Sequence, residues 1–136
     1  MAIKKHYQLF INGQYVDSSS GEVFETLNPA TEEVIATVAK ATKEDVDKAV
    51  QAARNAFESG KWPRMTAAKR ARLLNNIANI MRERLEDLVY AEVLNSGKTV
   101  DAAKGQIMQA IEDFEFYAAA AMTLQGDTNQ VPNGFF

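Results

Sequence analysis

The chain has no cysteine among its 136 residues. That removes disulfides, thiolate zinc sites and a thiol nucleophile in one step. It has a single histidine, His6, so a nucleophile–base pair built on imidazole has one candidate base. Glycine occurs seven times and proline three, yet neither GxGxxG nor GxxxxGK[ST], the spacings that cradle phosphates, appears. No apolar run approaches the ~20 residues needed to cross a bilayer. The opening MAIKKHYQLF carries two lysines without an apolar stretch of signal-peptide length behind them, which makes the cytoplasm the expected location. A net charge of −3 disfavours nucleic acid or an anionic membrane as partner.

What is present is ordinary globular composition, 46% hydrophobic and 24% charged, in one domain's worth of chain. Residues 7–39 read as β structure. In "YQLFING", Leu9 and Ile11 share a face, and Asn12-Gly13 turns the chain into "QYVDS". A loop of three serines and Gly21 precedes a short strand around Val23, Phe24 and Leu27, which Asn28-Pro29 stops. "EVIATVA" is a fourth strand rich in β-branched residues. Four short strands joined by tight turns predict an antiparallel meander.

From residue 42 the apolar period lengthens. Thr42 is placed to cap a helix whose first turn carries Glu44 and Asp45, where acidic groups suit the dipole. Val46, Ala49, Val50, Ala53 and Phe57 form one apolar stripe, and Gly60 ends the helix. Thr66 caps a second helix with Leu73, Ile77, Ile80, Leu88 and the Val93-Leu94 pair as its buried face, ended by Gly97. A helix of that length invites a break near Glu83 to Asp87. A third helix covers roughly Val100 to Met122, with Ala103, Ile107, Ala110, Ile111, Phe114, Ala118 and Ala121 facing inward. Asn133-Gly134 then signals a hairpin turn at the end of "NQVPNGFF". The pattern predicts an α+β layer arrangement: an N-terminal meander and about three amphipathic helices.

The catalytic inventory is thin. His6 reads as a surface residue near the terminus. Glu32/Glu33 and Glu112/Asp113 are sequence neighbours whose side chains point to different faces, so neither pair converges for acid–base work. "NSGKT" at 95–99 has the look of a phosphate-loop tail but lacks the upstream glycine. Gly97 reads better as a helix terminus, with Lys98 answering the last carbonyls. Trp62 reads as a plug at the joint between two helices.

Taken in order, "LFINGQYVDSSSGEVFETLNPATEEVIATV", "KEDVDKAVQAARNAFESGKWPRM", "KRARLLNNIANIMRERLEDLVYAEVLNSGK" and "FYAAA…GDTNQVPNGFF" resemble the N-terminal part of the NAD(P)-dependent aldehyde dehydrogenases. The resemblance covers nearly everything after Lys5. It implies that residues 1–125 belong to the cofactor-binding domain and that 126–136 begin a hairpin arm of the oligomerisation domain. It also implies a parent reaction, the NAD(P)-dependent oxidation of an aldehyde to a carboxylic acid. The family's cofactor contacts, glutamate base and nucleophilic cysteine lie further along such chains, so this chain alone is expected to bind no NAD or NADP and to be inactive. Its implied partners are the remainder of an aldehyde dehydrogenase chain or homologous subunits. The alternative reading is a non-catalytic module that docks on full-length subunits through its sheet edge and hairpin arm.

Carried over residue by residue, the resemblance implies a backbone site for a monovalent cation at Leu27 and Asn95, the second being a position where aspartate is common. It also implies that Gly105 and Gln109 flank the substrate tunnel. Where the family often reads Arg-Tyr-Tyr-Ala-Gly, this chain has Glu115-Phe116-Tyr117-Ala118-Ala119.

Overall fold

A computed structural model describes residues 3–124 and 126; the proposed hairpin turn at Asn133-Gly134 lies outside the described residues. Five strands come first: β1 (His6–Tyr7), β2 (Leu9–Ile11), β3 (Gln14–Val16), β4 (Val23–Leu27) and β5 (Val34–Ala39). They do not form the single antiparallel meander that the sequence pattern predicts. β2 and β3 make a separate hairpin, and β1 pairs in parallel with β5, His6 opposite Thr37, in a three-stranded sheet ordered β1-β5-β4. The hairpin itself follows local rules, since Asn12 and Gly13 take the positive φ values (52° and 79°) that a tight two-residue turn needs. Pairing of β1 with β5 is a long-range contact that no turn residue encodes.

Four helices follow: α1 (Lys43–Ser59), α2 (Ala67–Glu83), α3 (Leu85–Ser96) and α4 (Val100–Thr123), with a 3₁₀ turn at Trp62–Arg64 between α1 and α2. Thr42, Thr66 and Thr99 each cap a helix by accepting from the backbone three residues on. The long second helix of the sequence reading is two helices. Arg84 leaves helical geometry (φ −106°, ψ 17°), serving as the end of α2 and the start of α3.

The core is made chiefly of small residues. Ala71 and Ala78 of α2, Ala103, Ile111 and Ala118 of α4, and Val89 of α3 are buried, along with Ala36 and Ala39 of β5. Ile111 is the one large side chain that is fully enclosed among the described residues. On α2 the expected buried face, Leu73, Ile77 and Ile80, stays exposed instead. The residues α2 buries are instead Ala71 and Ala78. On α1 the apolar stripe is likewise outside: Phe57 is 72% exposed, and Asp45 is the helix's only buried residue. Trp62 sits at the α1–α2 joint as expected but is half-exposed there.

Asp45 ties the sheet region to α1. Its carboxylate accepts from the N–H of Thr42 (2.9 Å), completing a capping box, and from the N–H of Ser19 (3.1 Å) in the serine loop. The Ser18 hydroxyl, also buried, donates to the Lys40 carbonyl at 2.5 Å just before α1. The Thr42 N–H above all, with that of Ser19 and the two hydroxyls, holds the Asp45 carboxyl down to about 2 from its ordinary 3.8, against the opposing pull of burial.

A second tie joins the end of β4 to the end of α3. The Thr26 hydroxyl donates to the Asn95 side-chain oxygen at 3.0 Å. Gly97 ends α3 in the left-handed region (φ 70°), its N–H bonding the Val93 carbonyl. A Cβ added there would meet the Pro29 ring at 2.8 Å. Lys98 does not answer the helix carbonyls as the sequence suggests; its ammonium donates to Glu92 Oε1 (2.6 Å) and Gln106 Oε1 (2.7 Å), bracing α3 against α4.

Two tests follow from these ties. Because folding depresses the Asp45 pKa, its stabilisation is in full force above the unfolded value near 4 and is lost as pH falls toward 2. Asp45→Asn should lower stability at pH 7 and flatten the loss between pH 4 and 2, as read by urea unfolding across a pH series. Gly97→Ala should cost about 2 kcal/mol from left-handed strain, before the contact with Pro29. Gly105→Ala, in the interior of α4 with open space around it, should instead gain about 0.5–1 kcal/mol. Thermal melts of the two variants should move in opposite directions.

Candidate functional site

Leu27 lies at the end of β4 and Asn95 near the end of α3, two elements that meet through Thr26. Leu27 closes β4, where the register against β5 slips: Thr26 lies opposite Ala36 and Leu27 opposite Val34, leaving Ile35 unopposed. Asn95 lies in the last turn of α3, where carbonyls lack intrahelical partners. The Thr26–Asn95 hydrogen bond holds the two elements at this corner. The available donors are neutral oxygens, main-chain carbonyls and one amide, the hard type that suits alkali and alkaline-earth cations. Among the described residues no cluster of three acidic, histidine or cysteine side chains could hold a metal ion.

Beside this corner runs a groove of about 410 Å³ between the three-stranded sheet and α3. Tyr7, Phe24, Ile35 and Leu88 supply its apolar walls, and Thr26 and Asn95 its polar rim. Sequence reasoning missed this groove, because it arises from sheet-to-helix packing between segments some seventy residues apart. Glu92 is its one carboxylate, and the Lys98 ammonium, by hydrogen bond and charge, holds that carboxyl below its ordinary range. A carboxylate held ionised in this way makes a poor general acid near neutral pH.

Gly105 and Gln109 lie one turn apart on α4, hence on one face. Both are exposed, and the Gln109 amide donates to Asp113 at 3.1 Å. They stand apart from the Leu27–Asn95 corner in sequence and on a different element. Glu112 and Asp113 are both exposed and do not face a common point.

One arrangement superficially resembles a nucleophile–base–acid relay. His6 Nδ1 lies 2.9 Å from the Thr37 hydroxyl, and His6 Nε2 lies 3.6 Å from Asp17. The Thr37 hydroxyl, however, donates its proton to the Lys5 carbonyl at 3.3 Å, and Asp17 is engaged by the Gln8 amide at 2.9 Å. The cluster is exposed, so it pins β1 to its neighbours and offers no activated nucleophile.

The aldehyde dehydrogenase family model matches residues 15–135. Aldehyde dehydrogenase family 2 member C4 of Arabidopsis thaliana is 45% identical over 125 residues, which cover 91% of this chain and 25% of that protein. Among solved structures, the NAD+ complex of an aldehyde dehydrogenase from Bacillus cereus superposes with a TM-score of 0.88 at 41% identity, covering 94% of this chain and 26% of that one. The NAD-dependent aldehyde dehydrogenase of Sinorhizobium meliloti gives 0.87 at 38% identity, covering 93% and 25%. This chain thus spans about a quarter of the length of the relatives it matches, and its strands and four helices correspond to an N-terminal portion of their fold. The chain belongs to the aldehyde dehydrogenase family.

Proposed function

We propose that this chain supplies the N-terminal part of the cofactor-binding domain of an NAD(P)-dependent aldehyde dehydrogenase, in the cytoplasm, and has no aldehyde-oxidising activity on its own. The observation that carries the reading is the match over residues 15–135 in a chain without a single cysteine. Oxidation of an aldehyde through a thiohemiacetal needs a thiolate to attack the carbonyl carbon before hydride can leave for the nicotinamide. Nothing in this sequence can take that role. The chain's contribution is structural: it forms a sheet corner, a helix bundle and the faces on which the catalytic portion would be built.

Within that reading, the Leu27 and Asn95 main-chain carbonyls hold a monovalent cation that stiffens the β4–α3 corner. Gly105 and Gln109 flank the route by which aldehyde enters, one offering clearance and the other a polar amide. Residues 126–136 begin the arm that pairs with a neighbouring subunit. NAD or NADP is the cofactor of the assembled enzyme.

The test is complementation. The chain should be co-expressed with the C-terminal portion of the Bacillus cereus relative, the part this chain does not cover. Aldehyde-dependent reduction of NAD should appear with both parts and be absent with either alone. Activity from this chain by itself, or a co-purifying pair that never reduces NAD, overturns the proposal.

A further inference from the structure

The link from α3 to α4 runs from Gly97 to Thr99, and its middle residue closes the turn with its side chain. The Lys98 ammonium, half-buried, donates to Glu92 Oε1 on α3 (2.6 Å) and to Gln106 Oε1 on α4 (2.7 Å). One cation thereby spans the loop and holds the end of α3 against the second turn of α4. Hydrogen bonds from a charged donor are roughly twice as strong as neutral ones. Apolar packing at this place is slight. Between Val100 and Gln106 the only buried residue is Ala103, and the larger side chains that α4 turns inward begin at Ile107. Gly105 sits between them, and an interior glycine is the weakest point of a helix because its backbone has the most freedom to regain. The space beside Gly105 is open, with nothing within 4 Å of where a Cβ would stand, so no packed neighbour stiffens it. The bond to Gln106, next in sequence, is the tie that does.

We infer that Lys98 is a positioning residue for the aldehyde entry route: through Gln106 it fixes where the Gly105–Gln109 face of α4 stands. The inference rests on the proposed function above, in which Gly105 and Gln109 flank that route, and goes beyond it by naming what holds them in place. Gln106 follows Gly105 directly and lies one turn before Gln109, so a shift of its backbone carries both. The Gln109 amide bonds along its own helix, to Asp113 at 3.1 Å, and that bond moves with α4 rather than fixing it. Lys98 acts on the substrate only through the wall it holds. A loosened wall binds less well any aldehyde long enough to reach it, in ground state and transition state alike, and such a loss raises KM without lowering kcat. Acetaldehyde, held at its reacting carbon, has almost nothing left to touch the wall. Lys104, one residue before Gly105, carries the same charge outside the bridge and serves as the comparison.

The experiment uses the full chain with the Bacillus cereus C-terminal portion and follows NAD reduction along a series of straight-chain aldehydes from acetaldehyde to octanal. Lys98→Met, which keeps the aliphatic stem, should raise KM for the longest aldehyde accepted about fivefold or more, with the acetaldehyde KM and both kcat values within about twofold of wild type. Gln106→Leu, which keeps the Lys98–Glu92 pair, should do the same. Lys98→Arg, whose guanidinium has donors for both partners, should restore the wild-type profile. Lys104→Met should leave that profile within about twofold. If Lys98→Met no longer co-purifies with the complement, Gln106→Leu carries the comparison. A wild-type pair that reduces no NAD overturns the proposed function and this inference together. With an active wild-type pair, an unchanged ratio of long-aldehyde to acetaldehyde KM in the bridge variants overturns this inference alone. So does a fall in kcat that is equal for every aldehyde, since the bridge then serves stability rather than the entry route.

Discussion

Everything in this molecule depends on how closely α2 can approach α4. The two helices pack on each other, and the residues they bury are Ala71 and Ala78 on α2 and Ala103, Ile111 and Ala118 on α4. Small side chains allow the helix axes to come near, but each buries little apolar area, so the stabilisation per residue is modest compared with a leucine-lined interface. The consequence is visible at the surface. Residues that would fill a wider helix–helix gap, such as Leu73 and Ile77, are left on the adjoining face. The close pairing and the exposed apolar band are two results of one sequence pattern.

With so little large-residue burial, polar ties carry an unusual share of the positioning. Asp45 secures the serine loop to α1, and Lys98 joins α3 to α4 through Glu92 and Gln106. Thr26 and Asn95 fasten the sheet to α3. None is a catalytic group. Their shared effect is to fix the directions of strands and helices that a small apolar core would hold loosely, and no described buried side-chain polar atom is left without a partner.

Local structure was legible in the sequence wherever the signal was local. The threonine cap of α1, the cap of α2, the Asn-Gly hairpin and the Gly97 terminus all appear where residue chemistry places them. The failures have a common physical origin. Amphipathic spacing says that Leu73, Ile77 and Ile80 require a cover, but not that the cover lies within this chain. Strand content was readable, whereas the parallel pairing of His6 with Thr37 depends on contacts that no turn announces. Asp45 was read as a dipole partner. Its larger role needs Ser18 and Ser19 brought to it from 27 and 26 residues away. Of the candidate site residues, Leu27, Asn95, Gly105 and Gln109 came from family resemblance alone, because neutral carbonyls and a lone glycine leave no chemical signature in a sequence.

The departure at Glu115 shows how a family position can change character without disturbing the fold. The family resemblance implies arginine at this position; this chain places a carboxylate there, and Arg82 of α2 donates to it at 2.8 Å. An arginine at 115 would set two guanidinium groups against each other at that distance. The acidic residue is therefore matched to its neighbour on α2. Since both partners are substantially exposed, water screens the pair and its worth to stability is small. Its value lies in register: it ties the end of α2 to α4 next to Phe116 and Tyr117, so the aromatic pair and the apolar band on α2 are held in fixed relation across one helix–helix contact. A change of charge at 115 would act on that relation within one helical turn of the buried Ile111 and Ala118 of α4 and Ala78 of α2.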